Sequence, residues 1–412
     1  MERKRVAVTG LGILAPNGTG RDAFWKSLCE GRSGIGRVSL IDASKHPVDI
    51  AGEVKDFDFE RFSKGKLPSK RVSRQTQLAI AGLHLAHADS GLPLEELARL
   101  AAPLCLSVGV STTSLQIVEH SKEQLDQKGP ARVPPHLIGF AQPNATAVAL
   151  SKELGVPCQI LTLSTACCAG LDAVLAAARV IETGQADVAL AGGTDSLLTP
   201  LGLGGMWSCG LIAKWDGDPA QASRPFDLRR KAGVLSEGAA FLMLESEDHA
   251  RARGAHVYLL LGGCGSSVDP DGGAPGTGFD SSMRQALGNT PCLPSDLDFI
   301  CAHGSGDPVL DLQEALALKR VLGATATHIP TTSIKGCTGN PLSAAGPMAL
   351  VACALAFEHD LIPPVANFEY PDPQCDLDVV SGQPRHIRAR RGLLNLHGMG
   401  GLNLSVVVER AS

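Results

Sequence analysis

Aromatic residues are scarce in this 412-residue chain, at 4%, with only two tyrosines and three tryptophans. That poverty argues against a binding tunnel lined with aromatic rings. An excess of one charge is also missing. The 37 basic and 42 acidic side chains leave a net −5 without long blocks of either sign, so neither a nucleic-acid groove nor a polybasic membrane surface is expected. No stretch offers the roughly 18 uninterrupted apolar residues of a spanning helix. The opening MERKRVAVTGLGILAP, broken by Gly10, Gly12 and Pro16, does not read as a secretory h-region, so a cytoplasmic protein is expected. CxxC pairs and paired Cys/His ligand spacings are absent as well, which leaves no basis for a metal site. The twelve cysteines read as reduced thiols, because most lie inside apolar runs such as LVACALAF.

What is present is length and an α/β rhythm. Single cores stop growing at about 250 to 300 residues, so two units or one large duplicated one are expected. Apolar runs at 5–10, 104–110, 158–164, 187–192, 239–245, 257–263, 299–304 and 392–398 read as buried strands. The segments 77–91, 168–184 and 312–323 read as helices. The order of pieces recurs: RVAVTGLGI parallels VYLLLGGCG, LCLSVGVST parallels LDFICAHGS, and ALAGGTD parallels LNLHGMGG. Two similar halves follow, residues 1–251 and 252–412, with a site between them drawing on both.

The stretch LSTACCAG (163–170) places Cys167 where a buried strand gives way to a helix, with Thr165 as the expected N-cap. The unpaired N–H groups of a helix N-terminus favour a thiolate. Cys168 lies about 100° further around the turn, so only one of the two faces a given cleft. Adjacent core cysteines are the bland alternative. Acyl transfer through a thiol needs a hydrogen-bonding or acid/base partner and an oxyanion hole. His303, in CAHGSGDP, and Lys335 and Asn340, in SIKGCTGNP, are candidates from the second half. The latter two are expected in the turn that mirrors Cys167. The HGMGG turn at 397–401 could supply backbone N–H donors. Cys, His and Asn in this order fit either a papain-like thiol hydrolase, whose flanking signature is missing, or a thioester-condensing enzyme.

Across nearly its whole length the chain resembles the elongating β-ketoacyl-acyl carrier protein synthases of type II fatty acid and polyketide synthesis. The resemblance rests on STACCAGLDAV, DVALAGGTDSLLTPLGLGG, SRPFDLRRKAGVLSEGAAFLMLE, AHGSGDP, TTSIKGCTGNPLSAAG and NLHGMGGLN. It implies the thiolase-like five-layer αβαβα duplication and a homodimer, or a heterodimer with a ketosynthase-like subunit. It also implies that Cys167 accepts an acyl group from the phosphopantetheine of an acyl carrier protein, with no other cofactor. Decarboxylative Claisen condensation with a malonyl-carrier thioester would then give a 3-ketoacyl product. In that scheme the backbone N–H groups of Cys167 and Met399 hold the oxyanion, His303 binds the malonyl thioester oxygen, and Lys335 orders the site, paired with Glu314. Cys168 becomes a small core filler.

Four places depart from the family pattern. Asn340 stands where the elongating enzymes carry a second histidine. Met399 and His397 replace phenylalanines of the last turn. Ser305 and Asp307 replace threonines that touch the pantetheine arm, and the loop 268–278 is unusually glycine-rich. These departures keep open a second reading, a chain-length-factor-like partner or a non-decarboxylating acyltransferase of a ketosynthase assembly.

Overall fold

The computed structural model describes residues 3–63, 67–69, 72–270 and 274–411. Ten principal strands carry the architecture: β1 (Val6–Ala15), β2 (Leu104–Gly109), β3 (Cys158–Leu163), β4 (Val188–Asp195), β5 (Gly238–Ser246), β6 (Leu259–Val268), β7 (Phe299–Cys301), β8 (Thr331–Thr332), β9 (Arg391–Gly398) and β10 (Leu402–Glu409). Their spatial order is β8-β7-β9-β10-β6-β1-β5-β4-β2-β3, with a two-residue strand at Gly18–Thr19 hairpinned onto β1. Read outward from the β6/β1 junction, the first five strands run 1-5-4-2-3 and the second five run 6-10-9-7-8. The two orders are the same, so the duplication read from LSTACCAG and its counterparts is present in the topology. The principal strands of the two halves meet where Val6–Val8 pair with Leu259–Leu261.

Five layers follow from side-chain alternation. On β5, Ala240, Leu242 and Leu244 belong to one apolar cluster and Ala239, Phe241 and Met243 to another, as the two-residue period of a strand buried on both faces requires. The first cluster is the centre of the molecule, around helices Ala169–Glu182 and Ala345–His359. The second lies under Arg74–Ser90, and a third, under Phe279–Gly288 and Pro308–Leu322, closes the far side. In chain order these helices are α1 (Arg74–Ser90), α2 (Ala169–Glu182), α3 (Phe279–Gly288), α4 (Pro308–Leu322) and α5 (Ala345–His359). The expected αβαβα arrangement is the observed one.

The central pair approaches closely because glycines permit it. A Cβ on Gly170 would fall 2.1 Å from the carbonyl oxygen of Ser343, a distance no side chain tolerates. Residues Leu342–His359 form an apolar stretch long enough to cross a bilayer, but 89% of it is buried; it is the core helix of the central layer. Strand β10 and a helix at Leu115–Lys128 were not among the elements expected from the sequence.

Candidate active site

The turn between β3 and α2 is a 3-10 segment, Ala166–Cys168. Ala166 lies in the left-handed region at φ 51°, which costs a non-glycine residue about 1 to 2 kcal/mol. The resulting elbow lifts Cys167 out of the strand and into a cleft, while Cys168 turns back into the central core, fully buried. Thr165 does not cap the helix: its hydroxyl donates to Asp172 Oδ2 at 2.7 Å. The second half repeats the elbow at Leu342, φ 53°, ahead of α5. The counterpart of Cys167 is therefore Ser343, not the Lys335–Asn340 turn. Ser343 donates through its N–H to Asp195 Oδ2 and through its hydroxyl to Thr194 O, each at 2.8 Å. It ties the second elbow to the end of β4. Asp195, sealed there, is pushed up to about 6 by burial.

Cys167 shares its cleft, a cavity of about 130 Å³, with His303, Ser305, Asp307, Asn340, His397 and Met399, and Met206, Leu211 and Leu310 add apolar wall. Two of these reach the thiol from different elements. The Met399 N–H donates to Cys167, and Asn340 Nδ2 lies 4.0 Å from Sγ. Burial raises the Cys167 thiol above its ordinary value, partly offset by the Met399 N–H and the Lys335 charge. Desolvation thus works against the thiolate that the helix end favours.

His303 follows β7 and is 3% exposed. Its Nδ1 receives the backbone N–H of His397 at 3.0 Å and faces Lys335 Nζ at 3.1 Å. A backbone N–H can only donate, so Nδ1 is the bare nitrogen and Nε2 carries the proton. Burial, then the charge of Lys335, holds His303 well below the usual histidine range. It is a neutral hydrogen-bond donor. Lys335 also donates to the His303 carbonyl at 2.6 Å. Glu314, on α4, does not pair directly with Lys335: its two oxygens accept the N–H groups of His303 and Gly304 at 2.8 and 2.9 Å. Glu314 grips the peptide that carries the histidine, and it stabilises Lys335 as a nearby charge.

Asp307 and Ser305 have structural employment. Asp307 Oδ1 accepts from Val309 N and Leu310 N, both at 2.9 Å, capping α4, and Pro308 occupies the first helical position. The carboxylate that looked foreign to a pantetheine contact is a helix cap at the rim of the cleft. Ser305 donates to Asp311, a buried carboxylate also bonded by Phe226 N and Gly306 N and pushed up to about 6. Met399, 52% exposed, stands at the mouth. Of the loop 268–278, residues 271–273 lie outside the described residues. Asp269 holds the remainder by accepting Gly276 N and Gly278 N at 2.7 Å each.

Sequence reading missed Asp311, Asp195 and the pair behind His397. His397 Nδ1 meets Asn403 Oδ1 at 3.0 Å, and Asn403 Nδ2 donates to Asp269 Oδ1 at 2.8 Å. Hairpin register could have found Asn403, since β9 and β10 place it directly opposite His397.

Comparison with known proteins agrees with this arrangement. Residues 3–250 match the beta-ketoacyl synthase N-terminal domain and residues 266–369 its C-terminal domain. The chain is 35% identical to a 3-oxoacyl-[acyl-carrier-protein] synthase 2 from Synechocystis sp., over 100% of this chain and 99% of the relative. It is 35% identical to the tetracenomycin polyketide synthase ketoacyl synthase alpha subunit of Streptomyces glaucescens, over 99% and 97%. Among solved structures, the ishigamide ketosynthase/chain length factor superposes with a TM-score of 0.91 at 29% identity, covering 100% of both chains. A type II polyketide synthase acyl-carrier protein in complex with its ketosynthase gives 0.88 at 29% identity, covering 99% of this chain and 100% of that one. With duplicated topology, elbow cysteine and donor histidine all in place, the chain belongs to the beta-ketoacyl synthase family.

Proposed function

We propose that this protein takes an acyl group from a carrier thioester onto Cys167 and condenses it with a malonyl-carrier thioester, releasing carbon dioxide and a 3-ketoacyl-carrier product. The observation that carries the reading is the pairing, within one cleft, of an elbow thiol and a neutral His303 whose protonated Nε2 is free of the contacts that hold Nδ1.

In the loading step Cys167 Sγ attacks the acyl carbonyl, and the backbone N–H groups of Cys167 and Met399 receive the oxyanion. The pantetheine thiol leaves. In the second step the malonyl thioester oxygen accepts hydrogen bonds from His303 Nε2–H and Asn340 Nδ2. Both donors strengthen as that oxygen gains charge in the enolate, so loss of carbon dioxide is favoured. The enolate carbon attacks the acyl-Cys167 carbonyl, the C–C bond forms, and the sulfur departs and takes up a proton. Asn340 cannot carry positive charge, so it contributes a fixed dipole. Lys335 and Glu314 keep His303 in its donor form.

The carrier is an acyl carrier protein, and no resident cofactor is required. The edge strand β3 is half-exposed along its length, with Ile160 37% exposed. An open edge of that kind is suited to pairing with a second, similar subunit, either another copy or a ketosynthase-like partner. A cytoplasmic location accords with this carrier-based chemistry. The partner or acyltransferase reading draws on the likeness to a ketosynthase/chain length factor, and retention of Cys167 and His303 together favours condensation over it. Incubation with acyl and malonyl carriers tests the proposal. A 3-ketoacyl product is expected, with carbon dioxide release falling about 10²-fold or more in His303→Ala. Acyl adducts on Cys167 without any product would leave the acyltransferase reading instead.

A further inference from the structure

The two imidazoles of the cleft are in opposite states. His303 carries its proton on Nε2, as the His397 N–H donated to Nδ1 dictates. For His397 the reverse holds. Asn403 Nδ2 faces two acceptors, Asp269 Oδ1 at 2.8 Å and Gly401 O at 3.0 Å, which fixes the amide and turns its oxygen toward the ring. His397 Nδ1 therefore donates to Asn403 Oδ1, and Nε2 holds a lone pair. The ring borders the cleft. Among the described residues Nε2 has no hydrogen-bond partner, and it is not one of the sealed, orphaned atoms; it opens onto the cavity. The rings of His303 and His397 meet edge to face at 6.0 Å between centroids.

The remaining groups around Cys167 lack a basic site of this kind. Lys335 donates to the carbonyl and ring of His303, Asn340 presents an amide, Ser305 donates to Asp311, and Asp307 spends Oδ1 on the helix α4 cap. Yet burial disfavours the Cys167 thiolate, and a thiol must lose its proton to be acylated.

We infer that His397 is the general base of the loading step, accepting the Cys167 thiol proton at Nε2, directly or through one water, and returning it to the departing pantetheine sulfur. The step balances: the S–C bond to Cys167 forms, the S–C bond to pantetheine breaks, and one proton passes from one sulfur to the other by way of the imidazole. Asn403 and Asp269 are positioning residues, holding Nδ1 protonated so that the lone pair stays on Nε2. This assignment rests on the acyl-Cys167 reading.

The pH dependence has a definite shape. Burial lowers His397 below its ordinary value; the Asn403 bond and the Asp269 and Asp307 charges act against burial, and Lys335 adds to it. Asp269 Oδ2 is 4.0 Å from Nδ1, His303 stands across the cleft and Phe279 packs on the ring without charge. Loading should rise with pH through this depressed value and stay flat until the thiol itself ionises.

The test is the rate of Cys167 acylation by acetyl- and hexanoyl-pantetheine, followed by intact-protein mass from pH 5 to 9. The wild type is expected to show the acidic limb and plateau. His397→Gln and His397→Phe are expected to load at least about 100-fold more slowly at pH 7, with the limb replaced by a steady rise toward the thiol's own ionisation. Asp269→Asn retains the histidine and removes a charge that favours imidazolium, so its limb should move to lower pH. Wild-type rate and profile in both His397 variants would overturn the inference alone. Failure of the wild type to load, or adducts persisting in Cys167→Ala, would overturn the acyl-Cys167 reading and this inference with it.

Discussion

Replacing Glu314 by glutamine alters no volume and touches no substrate, yet it should disable the site. The two carboxylate oxygens each accept a backbone N–H, from His303 at 2.8 Å and Gly304 at 2.9 Å, in a residue with no solvent exposure. Glutamine offers one oxygen and, at the other position, an NH₂ aimed at an N–H. A buried donor left without an acceptor costs about 1 to 3 kcal/mol. The change also removes the negative charge nearest in effect to Lys335, whose own charge burial already disfavours. Loss of one member of a buried charge pair costs about 3 to 5 kcal/mol. Because Glu314 and Lys335 interact without direct contact, a combined loss near 3 to 4 kcal/mol is expected. Urea unfolding at pH 8, above the value of about 7 to which burial raises the Glu314 carboxyl, measures it. Carbon dioxide release from malonyl-carrier should fall with it, because the peptide that aims His303 is no longer gripped on both sides. A stability change under about 1 kcal/mol with decarboxylation intact would refute the role assigned to Glu314.

Other perturbations are read more quickly. Asp307→Ala removes the cap of helix α4 and should cost about 1 kcal/mol by thermal or urea unfolding; loss of carrier binding without loss of stability would instead make Asp307 a substrate contact. Asp311 is raised from 3.8 to about 6 by burial, so the stability tied to its protonated form is complete below pH 3.8 and is lost as pH rises through about 6. The wild-type advantage over Asp311→Asn should shrink by about 2 kcal/mol between pH 4 and pH 7, measured by urea unfolding across that range. Ala166→Gly relieves the left-handed strain at φ 51° and should raise stability by a few tenths to 1 kcal/mol, seen as a higher melting temperature.

Much of the fold was legible because its strands are buried on both faces. Runs such as AAFLMLE cannot sit at a surface, and their recurrence in order makes the duplication visible in the sequence itself. Strand β10 escaped because the reading closed the fold at the HGMGG turn, although the register of β9 against β10 is what brings Asn403 to His397. Cys167 and His303 were visible as residues at strand ends. Their ionisation states were not, because burial and the orientation of one backbone N–H decide them. Asp307 shows a local signal passed over: Asp followed by Pro is an N-cap followed by a first-turn proline, and it marks the true start of α4 at Pro308. The mirror position was misplaced because sequence order put the SIKGCTGNP turn opposite Cys167, whereas the repeated left-handed residue, Leu342, puts Ser343 there.

The central claim is that Cys167 carries the acyl group through condensation. Incubation with an acyl-carrier thioester, followed by intact-protein mass measurement, tests it most directly. The account predicts one acyl adduct on the wild type and on Cys168→Ala, none on Cys167→Ala, and conversion of the adduct to a 3-ketoacyl product when malonyl-carrier is added. An adduct of equal yield on Cys167→Ala would contradict it.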